Sequence, residues 1–262
     1  MARATFLLSL PLAADALDDS FHHMYDLQFS RAHQTLAQYQ MRNPSDPLGP
    51  VSDAAAYLFS ELDRLDILKS EFFSKDARFA GSQRLMPDPA VKRHFEQALA
   101  RGRGLAEEAL RRDPVNADAL FASLLEHGLR ADYDSLVEKR YMAALSETKQ
   151  GRVLAERLLA LKPDYYDAYL AIGVENYLLS LRVAPVRWFL RLSGAQADRQ
   201  TGLEKLRITA EKGRFLLPFA RLLLAVAALR DNDRPRAKEY LAWLAGMFPL
   251  NRLYREELAK LK

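Results

Sequence analysis

The stretch Gly151-Arg-Val-Leu-Ala-Glu-Arg-Leu-Leu-Ala-Leu-Lys-Pro163 decides the fold. A small residue is followed by apolar ones at +4 and +7, Ala155 and Leu158, and by a proline at +12. Offsets of 4 and 7 return to one face of an α-helix, and a proline past the last turn stops it. The small residue lets a neighbouring helix approach closely. Three other stretches follow the rule: Ala32…Pro44 (Leu36, Tyr39), Gly102…Pro114 (Ala106, Ala109) and Ala237…Pro249 (Leu241, Leu244). Ala77…Pro89 and Gly173…Pro185 share the spacing, but Gly81 and Ser180 interrupt their apolar faces.

Working outward, Asp18-Asp19-Ser20 reads as a helix start, with Phe21, Met24 and Tyr25 as its apolar stripe. Ser52 or Asp53 caps a helix through Ala54, Leu58, Leu62 and Leu65. Asp88 or Pro89 opens a long helix through Phe95, Leu99, Leu105 and Leu110, in which Gly102 and Gly104 are each expected to be offset by close packing. Pro114-Val-Asn-Ala117 and Pro163-Asp-Tyr-Tyr-Asp167 open two further helices. Late helices are expected around Leu203–Lys212, Pro218–Leu229, Pro235–Met247 and Leu250–Leu261. Nothing reads as a strand of any length, so the fold class is all-α.

The four closing prolines fall 70, 49 and 86 residues apart. An uninterrupted tetratricopeptide (TPR) array would step by about 34. The pattern resembles a TPR-like antiparallel helix-pair solenoid with insertions around Ser74–Pro89, Asp132–Lys149 and Ser180–Gln200, the second forming an elongated or additional helix. Residues 17–262 are expected to form one such domain.

Composition narrows the chemistry. A net charge of +4 is too small to imply nucleic acid, and none is expected as a partner. With no cysteine, disulfides, thiol catalysis and cysteine-ligated metal centres are excluded. The five histidines form no His-Glu-x-x-His pattern, and P-loop, Gly-x-Gly-x-x-Gly and Gly-x-Ser-x-Gly motifs are missing. No catalytic residue, metal site or cofactor is assigned.

At the start, Arg3 precedes Phe6-Leu-Leu-Ser-Leu-Pro-Leu12 and the small residues Ala13-Ala14-Asp15-Ala16. Residues 1–16 therefore read as a short secretory signal, and an exported protein, periplasmic or envelope-associated, is expected. The alternative is a first helix packed on the array of a cytoplasmic protein. No run approaches the roughly 20 apolar residues of a spanning helix.

A narrower likeness lies at Gly173, Ser180, Pro185, Leu192, Gly194, Asp198-Arg199, Gly202-Leu203 and Leu206. This order resembles the signature of the outer-membrane tetratricopeptide family, which includes the inclusion-body-clearance proteins. The chain is more closely similar to bacterial signal-bearing TPR proteins, through Tyr25-x-Leu27-x-Phe29-x-x-Ala32 and Gly128-Leu-Arg-Ala-x-Tyr133. It departs at Gly194-Ala-Gln-Ala-Asp198, where a glycine-rich turn is usual. The resemblance implies a helical adaptor without enzymatic activity and transfers no binding residues.

In such arrays the first helix of each pair lines a concave groove. Aligning on Pro114 and Pro163 puts Phe121, Leu125, Leu170, Val174 and Tyr177 on that face, which is either an apolar groove for a protein or peptide partner or ordinary core. It lacks the Lys, Asn and Arg that would clamp a terminal carboxylate. Tyr133, Lys139, Arg140 and Tyr141 combine aromatic and basic groups on the extra helix, a mix suited to an interface. The alternative function is a peripheral membrane or lipid-handling factor using the amphipathic Val186–Leu192, with Arg187, Trp188, Phe189 and Arg191 at the membrane surface. No oligomeric state follows from these features.

Overall fold

The computed structural model describes residues 13–68, 86–180 and 198–261, with side chains from residue 16 onward. Among them every regular element is helical: α1 Ala13–Tyr25, α2 Phe29–Arg42, α3 Leu48–Arg64, α4 Pro89–Arg112, α5 Ala117–Asp132, a π-turn Tyr133–Val137, α6 Tyr141–Leu161, a 3₁₀ turn Tyr166–Ala168, α7 Tyr169–Ser180, α8 Arg199–Lys212, α9 Leu217–Arg230, α10 Arg234–Met247 and α11 Arg252–Ala259. The chain is all-α over these residues.

Local chemistry explains many of the helix boundaries, but not the start of α3, which begins at Leu48 after an uncapped Pro47, so that Ser52 and Asp53 lie inside the helix and not at its start. Asp88, Asn116, Asp198, Asp233 and Asn251 each accept a backbone N–H of the first turn, satisfying donors that have no intrahelical partner. The four proline-closed helices, α2, α4, α6 and α10, each end two residues before their proline. Their repeated faces are buried at Ala32, Leu36, Tyr39, Gly102, Ala106, Gly151, Ala155, Leu158, Ala237, Leu241 and Leu244; Ala109 stays partly exposed.

Each helix packs on the next along the chain. Two pairs show the antiparallel register directly. In α5–α6, His127 meets Glu147 while Arg157 reaches the Pro114 carbonyl. In α7–α8, Lys212 lies over Tyr166 and Arg199 over Tyr177. That second seam depends on Gly202, where an added Cβ would lie 2.6 Å from the Tyr177 backbone nitrogen. Gly102 meets the expectation of close packing, since a Cβ there would overlap Val51. Gly104 does not: an added Cβ meets nothing within 4 Å, and the same holds at Gly128. Gly104→Ala and Gly128→Ala are therefore each expected to stabilise the fold by about 1 kcal/mol, read as a raised urea midpoint.

The helices also close back on themselves. Asp18 of α1 forms a two-point ion pair with Arg214, and the Tyr25 hydroxyl donates to the Phe215 carbonyl at 2.9 Å. The Leu250 N–H donates to Asp26, and the Asn251 amide to the Tyr25 carbonyl. Phe59 of α3 meets Phe219 of α9, and Asp63 pairs with Arg252. Helix α3 also packs on α1, α2, α4 and α5, and is buried on most sides at Val51, Ala54, Ala55, Ala56, Leu58 and Leu62. It lies inside the array.

The segment Asp132–Lys149 is partly the expected elongated helix, since α6 runs 21 residues from Tyr141 to Leu161, and partly a π-turn and a break. Helix α5 runs into the π-turn, whose Glu138 N–H reaches back to the Tyr133 carbonyl, and Lys139 takes a left-handed φ of 59°. That conformation cannot continue a right-handed helix, so α6 begins afresh at Tyr141. The other two expected insertions fall largely outside the described residues. So do residues 1–12 of the expected signal; Ala13–Ala16 form the first turn of α1, where Ala16 is buried. No helix among the described residues is long and apolar enough to cross a membrane.

Candidate functional site

The residues expected to line a groove belong to the core. Phe121 is fully buried, its ring 4.9 Å from Tyr165 and 6.1 Å from Phe215. Leu125 packs, partly buried, on the same cluster. Leu170 and Tyr177 are buried in a second cluster with Leu206, Ala210 and Leu224, and Val174 packs against it. Of the two sequence readings of this face, ordinary core is the one the packing supports. The reason is tertiary: α3 rests on α5, and Phe215 comes from a distant turn onto Phe121.

The aromatic-basic set is split between interior and surface. Tyr133 is buried, stacks 5.0 Å from Phe95, and has Lys92 over its ring. Its hydroxyl has no hydrogen-bond partner among the described residues. Lys92 also pairs with Glu138. Burial raises the Glu138 carboxyl, but Lys92 and Arg140 outweigh it and hold the group below its ordinary range. Arg140 lies 3.1 Å from Glu138 and 3.5 Å from buried Asp134. Desolvation pushes Asp134 up despite that pairing. Burial pulls the Lys139 ammonium down.

Beyond these groups the surface turns apolar. Tyr141 is 38% exposed and Met142, which sequence reasoning missed, is 75% exposed. Residues Lys139–Met142 thus form a basic and apolar cap over a buried polar foot. A π-turn has neither helical nor strand period, so only the local aromatic-basic composition could have flagged it.

Asp132, just before the π-turn, was also missed. It retains some exposed surface, yet desolvation pushes its carboxyl up to about 7 from an ordinary 3.8. The native state resists ionising this group more than the unfolded chain does. Stability therefore falls as pH rises from about 4 to about 7, then levels. Asp132→Asn is expected to be more stable than the parent at pH 8 and indistinguishable from it at pH 3, in urea titrations at both values.

Two histidine–carboxylate contacts clip neighbouring helices: His33 to Asp53 at 2.6 Å and His127 to Glu147 at 2.7 Å. Glu126, buried beside His127, takes Arg103 and, at 3.4 Å, Arg130. These contacts join α2 to α3 and α4 to α5 and α6, which is a packing role. Among the described residues no group of three or more acidic, histidine or cysteine side chains is placed to hold a metal ion. Arg187, Trp188, Phe189 and Arg191, expected at a membrane surface, lie outside the described residues. No family model matches the chain, and no curated protein matches it.

Proposed function

We propose that the chain is a non-catalytic TPR-like adaptor that binds a protein or peptide partner at the cap Lys139–Met142. The exposure of Tyr141 and Met142 beside Arg140 carries this reading, because Tyr and Arg anchor interfaces and Met adapts to irregular partner surfaces. Paired helices whose faces are spent on the core supply a stiff support for that cap. The buried Phe121 face has no part in docking. An exported, envelope-associated adaptor is the compartment reading that goes with the apolar start of the chain.

The test is site-specific photocrosslinking in the native cell. A photoreactive residue at Met142 is expected to yield one discrete protein adduct, lost in Tyr141→Asp. The same probe at Val115, which is 58% exposed on another turn, is expected to yield none. Equal adducts from both positions, or none from Met142 in folded protein, would sink the reading.

A further inference from the structure

We infer that α1 is an exchangeable helix, and that two copies of this chain associate by each seating its α1 on the other's 214–216 and 248–251 turns. The seat is written for one ligand. Arg214 takes the Asp18 carboxylate at two points, and Phe215 receives the Phe21 ring at 4.8 Å. The Phe215 carbonyl accepts from the Tyr25 hydroxyl, and the Leu250 N–H finds Asp26. An acid followed by aromatics at +3 and +7 of one helix is therefore what this surface recognises. The helix known to carry that pattern is α1, whichever copy supplies it.

The link from α1 to α2 supplies the reason to exchange. Only Asp26, Leu27 and Gln28 separate the two helices, and closing them back to back puts Leu27 in the left-handed region at φ 59°. A branched residue with a Cβ is disfavoured there, unlike glycine. Beside it, the Gln28 side-chain oxygen is buried with no hydrogen-bond partner among the described residues. Both penalties belong to the closed turn. In an exchanged pair the link extends and sheds them. It also gives up two turn hydrogen bonds, Leu27 N–H to the Met24 carbonyl and Gln28 N–H to the His23 carbonyl, whose groups water then takes. The contacts of α1 with these turns, and its packing on α2 and α3, are remade on the other copy. Short strained hinges favour such exchange for this reason. Because two molecules must meet, the exchanged form is favoured by concentration. Exchange of α1 and docking at Met142 use separate surfaces, so either can fail alone.

The chain has no cysteine, which makes thiol crosslinking clean. Asp26 bridges the two positions to be joined, His22 Nδ1 lying 3.7 Å and the Leu250 nitrogen 3.1 Å from its carboxylate. Full-length His22→Cys and Leu250→Cys proteins are mixed at high concentration, incubated below the unfolding temperature, diluted and treated with a short bismaleimide. A covalent heterodimer is expected, and mixing His22→Cys with Met142→Cys is expected to give none. Adding Leu27→Gly to both partners relieves the closed turn and should lower the yield about tenfold per hinge. The unmodified chain, concentrated and then diluted, should show in sedimentation a dimer that dissociates slowly. Equal yields from the two pairings, an unchanged yield with Leu27→Gly, or no dimer of the unmodified chain would overturn the inference.

Discussion

Phe121→Ala is expected to lower the unfolding free energy by about 3–5 kcal/mol, the range for deleting a fully buried aromatic ring. The cost is this high because two distant parts of the chain meet on the ring. Tyr165 and Phe215 flank it, and α3 packs on its helix, so no single neighbour can move in to fill the void. Equilibrium urea unfolding measures the loss. Tyr141→Ala is the contrasting case, since its side chain stands partly in solvent and surface truncations usually change stability by under about 0.5 kcal/mol. A binding defect in Phe121→Ala would therefore report on the fold, and one in Tyr141→Ala on the partner.

Asp167→Ala is expected to cost about 3 kcal/mol or more, and Asp167→Asn much less. Asp167 sits buried in the 3₁₀ turn before α7, and its carboxylate reaches the turn before α9. One oxygen accepts the N–H groups of Arg214 at 3.1 Å and Phe215 at 3.2 Å; the other accepts Leu216 at 2.9 Å. Helix α9 has no capping side chain of its own, so this carboxylate satisfies donors at its entrance. Removing it strands three N–H groups, of which that of Phe215 is buried and those of Arg214 and Leu216 partly so, a fully buried one costing about 1–3 kcal/mol. It also frees Phe215, which carries both the Phe21 contact and the Phe121 stack. Burial raises the Asp167 carboxyl more than the three N–H groups and Arg214 lower it, so the acceptor oxygens matter more than the charge. Asparagine keeps one of them. Thermal melts of the two variants beside the parent decide the ordering.

The elements differ in how legible they were. The four proline-closed helices and the opening at Asp88 follow from spacing and side-chain chemistry, because helix period and helix ends are settled within a few residues. Gly102 and Gly104 were both expected to pack closely, although residues two apart face different sides of a helix and only Gly102 lies on the repeated face. The tertiary structure supplies the neighbour on that face, Val51 of α3, about fifty residues away. Within the candidate site, Arg140 and Tyr141 were visible from composition. Met142 and Asp132 were not, since exposure and desolvation are set by neighbours and leave no mark on local pattern.

The sequence by itself determined an all-α chain, the places where its four proline-closed helices stop, and which face of each of these is apolar. Those properties depend on residues one to four turns apart. The tertiary structure decided what covers those faces. It put α3 against α5, brought Phe215 and Phe248 onto α1, and left Tyr141 and Met142 outside. Apolar periodicity states that a face must be buried but not by what; contacts between residues some 190 apart are selected by the global packing of all the helices at once.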